Sequence, residues 1–229
     1  YMKNGTLEDY IKRKCDNPKS KKVNETMKIV NIYGIASAMN YLHSQDIIHC
    51  DLKLPNILAN EIFTPIICDF GISLNTNIEE TIVDDFKGTY AYCPPEKFKN
   101  GIISKKGDVY SFAMVVYQIL TNKYPFEGLS HHQIMYEVTI NKLRPKMDNS
   151  IPKKYRELIE RCWDEDPKKR PSFEQILNEL RTNNEYINGN INKKIFHSFV
   201  KFMDEKKLGY DVVKKQYQKS LKYIFAYDD

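Results

Sequence analysis

No stretch of this 229-residue chain approaches the roughly 18 consecutive apolar residues that a membrane-spanning helix requires. The residues after Tyr1 also lack the basic, apolar and small-residue order of a signal peptide. No membrane role is therefore expected. The five cysteines, at 15, 50, 68, 93 and 162, are odd in number and nowhere spaced C-x-x-C. Free thiols in a reducing compartment fit that pattern better than a disulfide framework or a zinc site, so a cytoplasmic location is expected, with the nucleus as the alternative. Dense charge is missing as well. The formal charge is +5, and after Leu180 ten Lys/Arg stand against six Asp/Glu. A nucleic-acid or membrane-surface footprint needs tighter clustering, and solvated faces are the simpler reading. There is no internal repeat. The bias toward Asn, Lys and Ile enlarges polar loops without adding chemistry.

What is present is ordinary for a globular chain: 41% apolar and 28% charged residues, long enough for one domain with a substantial core or for two small ones. Ile29, Ile32, Ala36, Met39 and Leu42 recur at helical spacing over 26–44. Ile57–Ala59 and Ile66–Cys68 read as two short strands around a hairpin at 60–65. Residues 108–121 are nearly all apolar, which predicts a buried helix. Ser130-x-x-Gln133 and Ser172-x-x-Gln175 are capping boxes that open two further helices, and 154–163 has one apolar face. After Arg181 the chain turns polar, and 182–193 reads as a linker. In the tail at 194–229, Ile195, Phe199, Phe202 and Met203 form one helical face, and Val213, Tyr217, Leu221 and Ile224 another. These are two amphipathic helices that pack on each other or on the preceding lobe, or the start of a second module; a protein partner for them is the further possibility.

The chemistry concentrates in two motifs. His49-Cys50-Asp51-Leu52-Lys53-Leu54-Pro55-Asn56 places a lysine and an amide two and five residues after a carboxylate, and Asp69-Phe70-Gly71 follows eighteen residues after Asp51. That is the distance one hairpin needs to return to the same cleft. An isolated H-x-D arises by chance in polar turns; two motifs in this order and register do not. Downstream come Gly88-Thr89-Tyr90-Ala91-Tyr92-Cys93-Pro94-Pro95-Glu96 and Lys169-Arg170-Pro171-Ser172.

Together these motifs resemble the catalytic loop, metal-binding segment and activation-segment closure of a eukaryotic protein kinase, over residues 1–181 and within its C-terminal lobe. The resemblance implies a mainly α fold with a few short β-strands, the larger lobe of the α+β kinase architecture. It implies ATP and Mg2+ as cofactors and a protein substrate. Asp51 is then the residue that accepts the proton of the attacking hydroxyl, and Lys53 offsets charge on the transferring phosphate; Asn56 and Asp69 hold magnesium through hard oxygen ligands. Leu7 and Leu58 are expected beneath the adenine ring with Cys68 beside them. Thr6 is either a ribose contact or a helix N-cap. Glu96 is expected in a buried ion pair with Arg170. Asp108 either accepts backbone N–H groups of the catalytic loop or caps a helix in solvent. His49 and Phe70 are expected to stack as structural residues. Lys53 and Thr89 are the choices of serine/threonine kinases, and Arg161–Pro171 looks most like the tyrosine-kinase-like branch.

The sequence departs from the family pattern at three places. Pro94 replaces an alanine. Cys50 stands where most members have an arginine that pairs with an activation-loop phosphate, so that switch is expected to be missing. Glu79, Glu80, Asp84 and Asp85 either mimic such a phosphate or form a solvated acidic loop. The third departure is larger: the 229 residues contain no glycine-rich loop and no strand lysine with its helix αC glutamate. The chain alone is therefore expected to be inactive. Three readings follow: a serine/threonine kinase whose first lobe lies upstream, a truncated partner-binding protein, and an ATP-independent scaffold. Intact Asp51, Lys53, Asn56 and Asp69 favour the first, because a pure binding module has no physical need for all four.

Overall fold

The computed structural model describes residues 5–16, 25–60, 64–75, 78, 80–83 and 85–204. It opens with α1 (Leu7–Asp16) and α2 (Glu25–Ser44), followed by β1 (Ile47–Ile48), β2 (Ile57–Ala59), β3 (Pro65–Ile67), β4 (Leu74–Asn75) and β5 (Glu80–Ile82). Then come α3 (Pro95–Asn100), β6 (Ile102–Ser104), α4 (Lys105–Thr121), α5 (His131–Thr139), α6 (Lys153–Cys162), α7 (Phe173–Thr182) and α8 (Lys193–Asp204). Helices dominate and the strands are two or three residues long, as expected for the C-terminal lobe of a kinase-like fold.

The apolar run at 108–121 forms the inside of α4, which is buried at every position from Asp108 to Leu120. Ser104 caps it, its hydroxyl accepting from the Gly107 N–H at 3.2 Å. α2 lies beside α4 and is itself covered by α7, α8 and β3. Gly34 makes the approach to β3 possible: a Cβ there would stand 2.6 Å from Pro65 and 3.1 Å from Phe199, too close for any side chain. Both capping boxes form as the sequence predicts, at Ser130/Gln133 and Ser172/Gln175.

The strands act as clips. β2 pairs antiparallel with β3, Ile57 opposite Ile67, and carries the hairpin. β1 pairs with β4, Ile48 opposite Leu74, so the chain just before His49 is bonded to the chain just after Gly71. β5 pairs with β6 through Thr81 and Ile103. The turn between α3 and β6 uses Gly101 at φ 66°, where a Cβ would lie 2.2 Å from the Val83 carbonyl oxygen.

Residues 182–193 are more structured than the polar composition suggests. Asn184–Ile187 forms a 3-10 turn that buries Tyr186 and Ile187. Tyr186 stands edge-on to Tyr155 at 4.9 Å and donates to Glu179 at 2.6 Å. Two apolar side chains outweigh the polar run around them, so this part of the expected linker packs against the lobe. α8 then lies on α2: Tyr33 meets Phe196 and Phe199 edge-on at 5.7 and 6.2 Å. Ile195, Phe199 and Phe202 are buried as their spacing predicts, Met203 is half-buried, and Phe196 joins them. Each buried side chain of this kind stabilises by about 1.5–3 kcal/mol. The second tail helix expected at 213–224 lies outside the described residues. No helix among the described residues is long and apolar enough to cross a membrane.

Candidate active site

The loop between β1 and β2 and the segment between β3 and β4 meet on one side of the lobe. Asp108, in the first turn of α4, organises the first of them. It is 2% exposed and accepts the backbone N–H groups of His49 and Cys50 at 2.8 and 2.9 Å, with His43 Nε2 at 2.9 Å. Of the two readings of Asp108, the structure has the loop anchor; the solvated cap is not its role, since Ser104 caps α4.

His49 is fully buried. Its Nε2 lies 3.0 Å from the Cys68 carbonyl, and its Nδ1 accepts from the Asp51 N–H at 3.3 Å. That pair of partners assigns the proton to Nε2. The ring also sits 5.2 Å from Phe70. One histidine thus ties the catalytic loop to the Asp69 segment. Cys50 and Asp69 themselves adopt left-handed backbone, at φ 70° and 64°, a conformation that non-glycine residues keep only where surrounding contacts hold them.

Asp51, Lys53, Asn56 and Thr89 form a closed set. Lys53 Nζ is 2.7 Å from Asp51 Oδ2 and donates to Thr89 Oγ1 at 2.7 Å. The Thr89 hydroxyl donates to Asp51 Oδ1 at 2.9 Å. Asn56 Nδ2 donates to the Asp51 carbonyl and to its Oδ2, at 3.0 and 3.1 Å. An ionised carboxylate has about four acceptor positions; three are filled here, and the open one is on Oδ1. Lys53 likewise keeps one of its three N–H groups. Sequence reasoning used Thr89 only as a marker of substrate class; its hydroxyl as the bridge between base and lysine was visible only once Gly88–Thr89 was seen folded over the loop.

Oxygen ligands are available nearby. With Asn56 Nδ2 committed to Asp51, the amide oxygen has no protein partner among the described residues, and the Asp69 carboxylate is exposed. Among the described residues no group of three His, Cys, Asp or Glu side chains could hold a metal by itself. Two oxygen donors without a protein cage suit Mg2+, which shares its shell with water and phosphate.

The expected nucleotide contacts are less uniform. Leu58 is half-buried and pairs with Thr6 in an isolated bridge. Leu7 is 2% exposed and belongs to the core, because α1 turns that face inward onto β2; of the two leucines only Leu58 presents appreciable surface. Thr6 serves as an N-cap, its hydroxyl accepting from the Asp9 N–H at 3.1 Å and donating to the Asp9 carboxylate at 2.7 Å. Cys68 is half-buried, its thiol pushed up by burial and donating to the Asn56 carbonyl at 3.3 Å.

The far end of the segment is fixed by Glu96 and Arg170 as predicted. The guanidinium meets both carboxylate oxygens at 2.7 and 2.9 Å and also reaches the Asp164 and Lys106 carbonyls. Tyr92 is held by Gln118 and by Ser111, which donates to its carbonyl at 2.8 Å. This arrangement of loop, segment and ion pair agrees with a comparison against family models: residues 1–180 match the protein tyrosine and serine/threonine kinase model. The chain belongs to that family.

Its relatives carry serine/threonine kinase names. A probable serine/threonine-protein kinase of Dictyostelium discoideum is 35% identical over 181 residues, 79% of this chain and 13% of that protein. Mitogen-activated protein kinase kinase kinase 12 of Rattus norvegicus is 34% identical over 183 residues, 80% of this chain and 20% of that protein. The serine/threonine/tyrosine-protein kinase HT1 of Arabidopsis thaliana is 35% identical over 188 residues, 82% of this chain and 47% of that protein. These names agree with a serine/threonine kinase of the tyrosine-kinase-like branch. The chain spans only 13% and 20% of the length of the first two of these relatives.

Proposed function

We propose that the protein carrying this chain is a serine/threonine kinase that transfers the γ-phosphate of ATP to hydroxyls of protein substrates. The observation that carries the reading is the closed Asp51–Lys53–Thr89–Asn56 set. Phosphoryl transfer asks a protein for positioning and charge rather than for covalent chemistry. The open acceptor position on Asp51 Oδ1 takes the hydrogen of an incoming hydroxyl, which aims the oxygen and draws off its proton as the bond forms. Lys53, bound to the other carboxylate oxygen, turns its remaining N–H toward the transferring group. Asn56 and Thr89 keep the carboxylate from rotating, so little reorganisation remains for the reaction itself.

Asn56 and Asp69 would hold Mg2+, which when bound neutralises charge on the phosphates. Leu58 offers the apolar floor for the adenine, with Cys68 beside it; Leu7 supports that floor from within, and Thr6 keeps it in place by tying α1 to β2 rather than by touching ribose.

Incubating the full-length protein with Mg-ATP and a generic basic protein tests this. Phosphoserine or phosphothreonine is expected in the product. Phosphotyrosine alone, or no transfer under conditions in which nucleotide binds, would overturn the assignment.

A further inference from the structure

α8 lies beyond the residues that match the family model, yet it is fastened to the lobe at both ends. At its start the Asn192 N–H donates to the Thr26 hydroxyl at 2.8 Å, while the Asn192 side chain accepts from the Ile195 N–H at 3.3 Å. At its end Asp204 accepts from the Arg181 guanidinium at 2.6 Å. The same guanidinium donates to the Tyr33 hydroxyl at 3.1 and 3.3 Å. Covering an apolar face would need only the phenyl rings between these ends. The two fastenings also fix where along α2 each ring falls.

Phe196 and Phe199 both meet Tyr33 edge-on, but they differ in what lies beyond it. At Gly34, the next residue of α2, three elements converge. The atoms nearest a Cβ built there are Pro65 Cγ at 2.6 Å, Pro65 Cδ at 2.8 Å and Phe199 Cζ at 3.1 Å; Phe196 is not among them. The tip of the Phe199 ring and the Pro65 ring thus share one gap on α2. Both residues are buried, so neither can yield without opening a void. Pro65 in turn opens β3, which pairs with β2 from Ala59 opposite Pro65 to Ile57 opposite Ile67. Asn56 immediately precedes β2, Asp69 follows β3 by two residues, and the Cys68 N–H donates to the Asn56 carbonyl at 2.9 Å. The two oxygen donors therefore ride on the two strands of one hairpin. Asp69 is itself exposed, with left-handed backbone at φ 64°, so its conformation depends on the chain behind it.

We propose that Phe199 is a positioning residue for the metal ligands: through the gap it shares with Pro65, α8 seats the β2–β3 hairpin and so sets Asp69 against Asn56. The proposal rests on the assignment of Asn56 and Asp69 to Mg2+ made above. Phe199 acts through β3 and not on the nucleotide itself. A residue that shapes a metal site from behind its ligands changes metal-dependent binding while leaving metal-free binding alone. A residue that only covers apolar surface changes stability and nothing else.

The test measures Mg-ATP and Mg-free ATP affinity of the full-length protein, together with amide hydrogen exchange at Cys68 in the absence of nucleotide. Phe199→Leu removes the ring tip and keeps most of the buried side chain. It should weaken Mg-ATP binding by about fivefold, less than the tenfold or more that loss of a metal ligand's own partner costs, and leave Mg-free binding unchanged. Exchange at Cys68 should quicken by about tenfold, because its bond to Asn56 opens more often. Pro65→Ala cuts the same gap from the strand side and should act alike; it carries the test if Phe199→Leu does not fold. Phe196→Leu is the control. It should lower Tm about as much as Phe199→Leu, while Mg-ATP affinity and Cys68 exchange stay within about twofold of the parent. Parent-like values in Phe199→Leu, or equal losses in Phe196→Leu, would overturn the proposal and leave α8 as a cover. Asp69→Ala in the same assay keeps the two readings apart. If it loses Mg-dependent affinity and Phe199→Leu does not, only the role of α8 falls. If it keeps that affinity, the metal assignment falls and takes the proposal with it.

Discussion

The segment that starts at Asp69 and closes at Glu96 is built differently at its two ends. At the first, Asp69 and Gly71 are exposed and Phe70 is 47% exposed; what holds them is the His49–Phe70 contact and the β1–β4 clip. At the second, every residue from Ala91 to Lys97 is buried, and Glu96 meets a guanidinium whose side chain has no exposure at all. The contrast shows which charges are satisfied from within. Glu96 has its partner in the protein, and its role is to close the fold. Asp69 keeps its carboxylate in the open, accessible to the Mg2+ proposed for it. Asp51 lies between these extremes: it is held on three sides by the chain and open on the fourth.

The sharpest way to break the comparison is to make the same kind of cut at each end. Arg170→Met should lower stability by about 3–5 kcal/mol, because it strands the Glu96 carboxylate in the core; denaturant unfolding measures this. A loss below about 1 kcal/mol would mean that the closing end is not fixed by its ion pair. Asp69→Ala, at the open end, should change stability by no more than about 0.5 kcal/mol. In the full-length protein it should weaken Mg-ATP binding by about tenfold or more and leave Mg-free ATP binding unchanged, since a metal ligand is lost. Equal losses with and without Mg2+ would remove Asp69 from the metal.

Two smaller effects refine the middle ground. Thr89→Ala deletes the bridge between Asp51 and Lys53 and should cost about 1 kcal/mol while lowering transfer more than it lowers nucleotide affinity. Unchanged transfer would make the bridge structural only. The last is a matter of pH. Burial raises the Cys50 thiol from near 9 to about 12, so the native state holds a proton that the unfolded chain releases at lower pH. The stability this provides is complete well below the unfolded value and fades as pH rises through it, by about 1 kcal/mol from pH 9 to 10. Cys50→Ser should lose that increment of the pH dependence, measured by unfolding at the two pH values.

Much of this was legible in the chain itself. The helices at 26–44, 108–121 and 154–163, both capping boxes and the 57–67 hairpin follow from period, cap and turn chemistry, which are local. The ion pair of Glu96 with Arg170, seventy-four residues apart, came from motif resemblance and not from any local rule. What stayed hidden depended on tertiary direction. Nothing in the composition of 182–193 reveals that Tyr186 and Ile187 find a pocket beside α6 and α7. Spacing did not separate Leu7 from Leu58, although one faces the core and the other the open side. Thr6 offered two uses for one hydroxyl, and the proximity of Asp9 decided between them.

The central claim is that Asp51, held by Lys53, Thr89 and Asn56, positions the attacking hydroxyl. Its most direct test is Asp51→Asn in the full-length protein, with transfer rate and Mg-ATP affinity measured on the same preparation. The substitution keeps the shape and removes the proton acceptor. Transfer should fall by roughly a hundred- to ten-thousand-fold while Mg-ATP affinity stays within about twofold of the parent. Transfer at a rate comparable to the parent's, with binding intact, would contradict the account.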